Sequence, residues 1–207
     1  MEPTQTATVT DPLRAIATGR VVAVVREPDA EVALEASRWL HEQGVEAIEL
    51  TASTPGWDGA VERLREQAPT ATIGAGTLRS RDDARRALGA GAEFLVTPHP
   101  APAVREVAEE AGATLIEGGM TPGEVLAACE RGVAKLFPAH VGGPALLRSI
   151  LALEPTARIV PTGGIGLDDL DAWFDAGAFA VGIGSGITRD ERGAARLRSA
   201  LTAARAR

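Results

Sequence analysis

Two residues that often carry reactive chemistry are nearly missing from this chain. Cysteine occurs once, at Cys129, which excludes an intrachain disulfide. Its place on the apolar face of a predicted helix fits a buried structural thiol better than a nucleophile. Lysine also occurs once, at Lys135, against twenty arginines. There is no basic stripe, and the net charge is −7, so the clustered cations that nucleic acid or another polyanion would reward are absent. No apolar run reaches membrane-spanning length, and Met1 to Asp11 carries no apolar core of a secretory signal. A soluble, cytoplasmic protein with no membrane partner is therefore expected. No grouping of His, Cys and Asp has metal-ligand spacing, so no metal is expected.

The 207 residues can bury one sizeable core, and the chain reads as a single globular domain over residues 1–207. Its one lysine stands inside Val133-Ala134-Lys135-Leu136-Phe137-Pro138-Ala139, which reads as a buried strand. A lysine amine desolvated among apolar groups can lose its proton and attack a carbonyl, which arginine cannot do. A lysine at a strand end that snorkels to water is the alternative.

A weak repeat organises the chain. Helix-compatible stretches close on glycine, and a short apolar or β-branched run follows at once. Gln43-Gly44-Val45 precedes Ala47 to Thr51, Ala90-Gly91-Ala92 precedes Phe94 to Pro98, and Ala111-Gly112-Ala113 precedes Thr114 to Glu117. Arg131-Gly132-Val133 and Ala176-Gly177-Ala178 continue the pattern before Lys135 to Pro138 and Phe179 to Gly184. Glycine suits the left-handed residue that ends a helix. With Val21 to Arg26, Thr72 to Thr77 and Arg158 to Gly163, eight βα units result, which predicts a single (β/α)8 TIM barrel. A short N-terminal helix over Asp11 to Thr18 is expected before it. An open doubly wound sheet is the structural alternative.

In a barrel, strand residues alternate between the interior and the surrounding helices. Ile48 and Leu50 suit the helix-facing positions, which turns Ala47, Glu49 and Thr51 inward. The same parity sends Ala134 and Leu136 outward and Lys135 and Phe137 inward. The second and sixth strands can share an interior layer, so Glu49 and Lys135 are expected to face each other. The pair is a candidate catalytic couple or a structural ion pair, and buried ion pairs are costly.

Glycines cluster at three strand ends. Pro161-Thr162-Gly163-Gly164-Ile165 and Gly182-Ile183-Gly184-Ser185-Gly186 close the seventh and eighth strands, where backbone amides form the phosphate site of many barrels. Gly163, Gly164, Gly184 and Ser185 are thus candidate phosphate contacts. Gly74-Ala75-Gly76-Thr77 closes the third strand and could hold a carboxylate.

These pieces resemble the 2-keto-3-deoxy-6-phosphogluconate and 6-phosphogalactonate aldolase family over nearly the whole chain. The resemblance rests on Glu49-Leu50-Thr51, Gly74-Ala75-Gly76-Thr77, Thr97-Pro98, Lys135-Leu136-Phe137-Pro138-Ala139, Pro161 to Ile165 and Gly184-Ser185, in that order. It implies a class I aldolase with Lys135 as the Schiff-base lysine, Glu49 as the acid/base and Thr77 on the pyruvyl carboxylate. It also implies an enzyme with no cofactor, usually a homotrimer, whose small-molecule partners are a 2-keto acid and an aldehyde. The gluconate-type members have arginine where this chain has Ser53, so Arg26 is expected to supply the carboxylate cation. Pro98-His99 and Glu117-Gly118 stand where the family usually has Pro-Gly, and His140 where others often have an acid. His99, Glu117 and His140 are all expected at the catalytic face, the two histidines bordering the far end of the substrate. Thr51, Ser53, Gly74, Gly76, Pro98 and Phe137 complete the candidate substrate contacts.

The expected reaction is reversible cleavage of a 2-keto-3-deoxy-6-phospho sugar acid to pyruvate and glyceraldehyde 3-phosphate. An unphosphorylated 2-keto-4-hydroxy acid such as 4-hydroxy-2-oxoglutarate is an alternative substrate. A phosphosugar isomerase or synthase without a covalent lysine, or a barrel that binds without turnover, remains an alternative of another class.

Overall fold

The computed structural model describes residues 11–184 and 187–207. Helix α1 (Pro12–Gly19) opens on Asp11, whose carboxylate accepts from the Leu13 N–H at 3.0 Å, with proline in the first turn where its missing N–H costs nothing. Eight βα units follow: β1 (Val21–Val25), α2 (Ala30–Glu42), β2 (Ala47–Thr51), α3 (Trp57–Gln67), β3 (Thr72–Gly76), α4 (Arg81–Gly89), β4 (Phe94–Val96) and α5 (Pro102–Ala111). The second half comprises β5 (Thr114–Gly119), α6 (Pro122–Cys129), β6 (Val133–Leu136), α7 (Gly143–Leu153), β7 (Arg158–Pro161), α8 (Leu170–Asp175), β8 (Val181–Ile183) and α9 (Glu191–Arg205). A 3₁₀ turn, Ala139–Val141, lies between β6 and α7, and another, Leu167–Asp169, before α8.

All strand pairs are parallel, with β1 between β8 and β2 and the order then running through to β7. The seam is closed by a bridge between Thr162 and Gly182 and by the Phe179 N–H bonding the Ile159 carbonyl at 2.9 Å. The fold is a (β/α)8 barrel. Gly44, Gly91, Gly112, Gly132 and Gly177, the helix-ending glycines of the repeat, all take positive φ.

Two apolar clusters express the strand alternation. Ile48, Leu50, Ala134 and Leu136 belong to the large cluster between sheet and helices. Ala47, Phe94, Ile116, Val133 and Val160 belong to a smaller cluster inside the barrel, which Ile16 of α1 joins fully buried. The N-terminal helix therefore packs into the barrel interior, which its sequence did not indicate.

Several strands stop short of their expected ends, and this places the site. β1 ends at Val25, β3 at Gly76, β4 at Val96, β7 at Pro161 and β8 at Ile183. Arg26, Thr77, Pro98, Gly163 and Gly164 consequently leave the ladder just where a barrel opens at its carboxyl-terminal face. Cys129 is half-buried at the end of α6, its thiol 3.6 Å from the Arg158 carbonyl, and burial pushes its pKa up.

Glu117 departs from the sequence expectation. It pairs in register with outward-facing Ala134, and its carboxylate lies outside the barrel, bonded to Arg105 of α5 and to Arg131 after α6. Its neighbours Ile116 and Gly118 take the other parity. The polar residues Thr114 and Glu117 fall on opposite faces of the strand and so do not mark which is inner, and the register against β6 decides.

Candidate active site

Lys135 of β6 and Glu49 of β2 meet inside the barrel. The Lys135 Nζ lies 3.3 Å from both Glu49 carboxylate oxygens, and the two residues are only 5 % and 2 % exposed. A charged pair withdrawn this far from water is held by strand parity, since both side chains project from interior positions. Room for the carboxylate comes from Gly76 on the neighbouring strand, because a Cβ there would overlap the Glu49 side chain. Gly74, two residues earlier, leaves space for the Phe94 ring in the same way.

The pair forms the floor of a cavity of about 300 Å³ lined by Val24, Arg26, Glu49, Thr77, Pro98, Lys135, Phe137, Thr162, Gly163, Gly164 and Gly184. This lies at the lower end of the size range of small-molecule sites. On one side Arg26 donates to the Thr77 hydroxyl at 3.3 Å. Thr77 holds φ at 59°, a left-handed conformation that costs a β-branched residue energy and is retained mainly where function needs it. Phe137 forms another wall, its ring centroid 5.6 Å from Nζ. Across from β3 and β4, Gly163 and Gly164 turn with φ of 98° and 68°, a conformation open to glycine and nearly closed to other residues.

Nine of the residues singled out in the sequence thus share one cavity, and Val24 and Thr162 join them. Val24 gave no sequence signal, because β1 is apolar throughout. Thr162 stood inside the glycine-turn motif without being chosen. Other candidates lie elsewhere. Thr51 is buried with its hydroxyl 3.0 Å from that of exposed Ser53, and neither lines the cavity. Gly74 and Gly76 act as interior spacers. His99 is exposed, its Nδ1 2.9 Å from the Pro100 carbonyl. His140 is exposed beside the glycine turn, with Nδ1 3.3 Å from the Gly163 carbonyl. Ser185 lies outside the described residues.

Residues 13–194 match the sequence model of the family described as KDPG and KHG aldolase. The chain belongs to that family. This aldolase, a carbon–carbon lyase, is 35 % identical over 153 residues to the 2-dehydro-3-deoxy-phosphogluconate aldolase of Pseudomonas aeruginosa, covering 72 % of this chain and 68 % of the relative. Its fold is similar to that of the KDPG aldolase of Legionella pneumophila solved with pyruvate captured as a covalent carbinolamine intermediate. There the TM-score is 0.78, with 28 % identity and coverage of 95 % of this aldolase and 97 % of that chain. The 2-keto-3-deoxy-6-phosphogluconate aldolase of Zymomonas mobilis, solved with 3-phosphoglycerate, superposes with a TM-score of 0.80 at 26 % identity, covering 95 % of each. Among the described residues, no helix of the aldolase is long and apolar enough to cross a membrane.

Proposed function

We propose that this aldolase works through a Schiff base on Lys135 and cleaves a 2-keto-3-deoxy-6-phospho sugar acid reversibly to pyruvate and glyceraldehyde 3-phosphate. The observation that carries this reading is the buried Lys135–Glu49 contact beneath a cavity with Arg26 on one side and the paired glycine turn on another. The covalent pyruvate of the Legionella relative supports the Schiff-base route. The 3-phosphoglycerate of the Zymomonas relative and the name of the Pseudomonas relative support a phosphorylated sugar acid.

Passing one proton from Nζ to a Glu49 oxygen gives a neutral amine beside a carboxylic acid. The amine adds to the C2 ketone, and Glu49 shuttles a proton from nitrogen to the former carbonyl oxygen, forming a carbinolamine. The Glu49 acid then protonates the departing hydroxyl, so water leaves and a protonated imine remains beside a carboxylate. That carboxylate, directly or through one water, takes the C4 hydroxyl proton as the C3–C4 bond breaks. The bonding pair flows into the imine as an enamine, and C4 leaves as the aldehyde. Glu49 returns its proton to C3, and hydrolysis releases pyruvate and restores the Lys135 amine. Arg26 and Thr77 hold the keto-acid carboxylate, and Phe137 walls the pyruvyl methyl. The amides of Gly163, Gly164 and Gly184 take the distal phosphate. The proposal extends to an enzyme without metal or dissociable cofactor, acting as a cytoplasmic homotrimer.

Pyruvate with borohydride tests it. Because Lys135 is the sole lysine, intact mass should show one addition that peptide mapping places there, and Lys135→Arg should abolish it. Labelling only at the N-terminal amine would overturn the mechanism. A product assay over a panel of 2-keto-4-hydroxy acids fixes the substrate, and a preference for 4-hydroxy-2-oxoglutarate would replace the phosphosugar assignment.

A further inference from the structure

Glu117 lies outside the barrel, yet its bonds lead to the cavity wall. Pro98, which lines the cavity, sits in Thr97-Pro98-His99-Pro100-Ala101-Pro102, between β4 and α5. Alternate prolines remove alternate backbone donors, so only Thr97, His99 and Ala101 of these six can tie the segment down through an N–H. Two of those three reach β5. The Thr97 N–H bonds the Ile116 carbonyl at 3.2 Å, and the Ala101 N–H bonds Glu117 Oε1 at 2.9 Å. The Thr97 hydroxyl adds a third tie, accepting from the Gly118 N–H at 3.1 Å and donating to the His99 carbonyl at 2.8 Å.

Ala101 is also the N-cap of α5 and brings no capping side chain of its own. Glu117 supplies the acceptor from a neighbouring strand, where a negative charge at a helix N-terminus is favourable. The carboxylate is in turn fixed by Arg105 at 2.7 and 3.1 Å and by Arg131 at 2.6 Å. β5 stands beside the lysine strand, with Gly118 paired to Lys135, and the Thr97–Pro98 backbone crosses so close to Gly118 that a Cβ there would overlap it.

We propose that Glu117 is a positioning residue that sets the Pro98 wall of the cavity, through Ala101, with Arg105 and Arg131 holding it in place. Pro98 and Thr77 come from adjacent strands, whereas the glycine turns come from β7 and β8 on the far side. Glu117 therefore acts on the pyruvyl end of the substrate and leaves the distal anion site alone. The inference rests on the aldolase reading above.

Two conservative variants separate reach from charge. Glu117→Gln keeps an oxygen at the same length that accepts from both the Ala101 N–H and Arg105, which share Oε1, and loses the charge and the Arg131 bond. Glu117→Asp keeps the charge and withdraws the oxygens by one methylene. The pyruvate concentration that half-saturates borohydride trapping is measured for both, with thermal stability and inhibition by inorganic phosphate alongside. Glu117→Asp should raise that concentration about tenfold, since small displacements of a substrate-positioning wall are amplified in this way. Glu117→Gln should stay near wild type although it melts at a lower temperature, and phosphate inhibition should be unchanged in both. If Gln were the worse of the two, or Asp matched wild type, Glu117 would be a structural ion pair and the inference would be overturned. No adduct in the wild-type protein would overturn the aldolase reading itself, and the inference with it.

Discussion

Gly76 and Glu49 occupy one space: the carboxylate lies where a side chain on Gly76 would begin. The two residues are on adjacent strands, with Gly76 paired in register to Thr51, two residues beyond the glutamate. The glycine that closes the third strand therefore serves to admit the Glu49 carboxylate beside Lys135.

Gly76→Ala should push the Glu49 carboxylate away from Nζ while leaving the fold intact. Exchange of pyruvate methyl protons, followed by NMR in deuterated water, should fall on the order of 10²-fold, the usual contribution of a positioned acid/base. Borohydride trapping should persist. Unchanged exchange would show that Glu49 is not the proton carrier.

Arg26 donates to Thr77 at the cavity rim, with Ser53 outside the cavity. Arg26→Ala should weaken pyruvate capture about tenfold or more, because a charge-assisted contact contributes roughly 1.5 to 3 kcal/mol. The half-saturating pyruvate concentration for trapping reads this directly. A value equal to wild type would move the carboxylate to another part of the cavity.

Gly164 has φ 68° and packs against the His140 ring, so a side chain there is both strained and obstructed. Gly164→Val should raise KM for phosphorylated substrates and weaken inhibition by inorganic phosphate, with imine formation from pyruvate preserved. Equal KM values before and after substitution would leave the turn without a role in the distal anion.

Acid stability should depend on Glu117. Burial alone would raise its pKa, but hydrogen bonds from Arg105, the Ala101 N–H and Arg131 outweigh this and hold the carboxyl below the usual carboxylate range. A depressed folded-state pKa stabilises the fold above the unfolded pKa of about 4.3. That contribution is lost as pH falls through the lower folded value. Wild type should therefore lose Tm more steeply than Glu117→Gln between about pH 4.3 and the acid limit. Parallel Tm curves would remove Glu117 from the acid response.

Legibility in the sequence followed contrast along each strand. Glycine-closed helices before apolar runs mark five of the eight units, since few other residues end a helix in the left-handed conformation, and β-branched or apolar runs mark the other three. In β2 and β6 a single charged residue between helix-facing apolar ones sets the parity, which determines that Glu49 and Lys135 point inward. Where a strand is apolar on both faces, as β1 is, or carries polar residues on both, as β5 does, that contrast is gone. Val24 on β1 and the outward turn of Glu117 on β5 were settled only by pairing with neighbouring strands. The loops were decided by tertiary structure for a related reason. Where each strand stops depends on its neighbours' hydrogen bonds, and those stops brought Arg26, Thr77 and Pro98 to the cavity while leaving Ser53, His99 and His140 outside it.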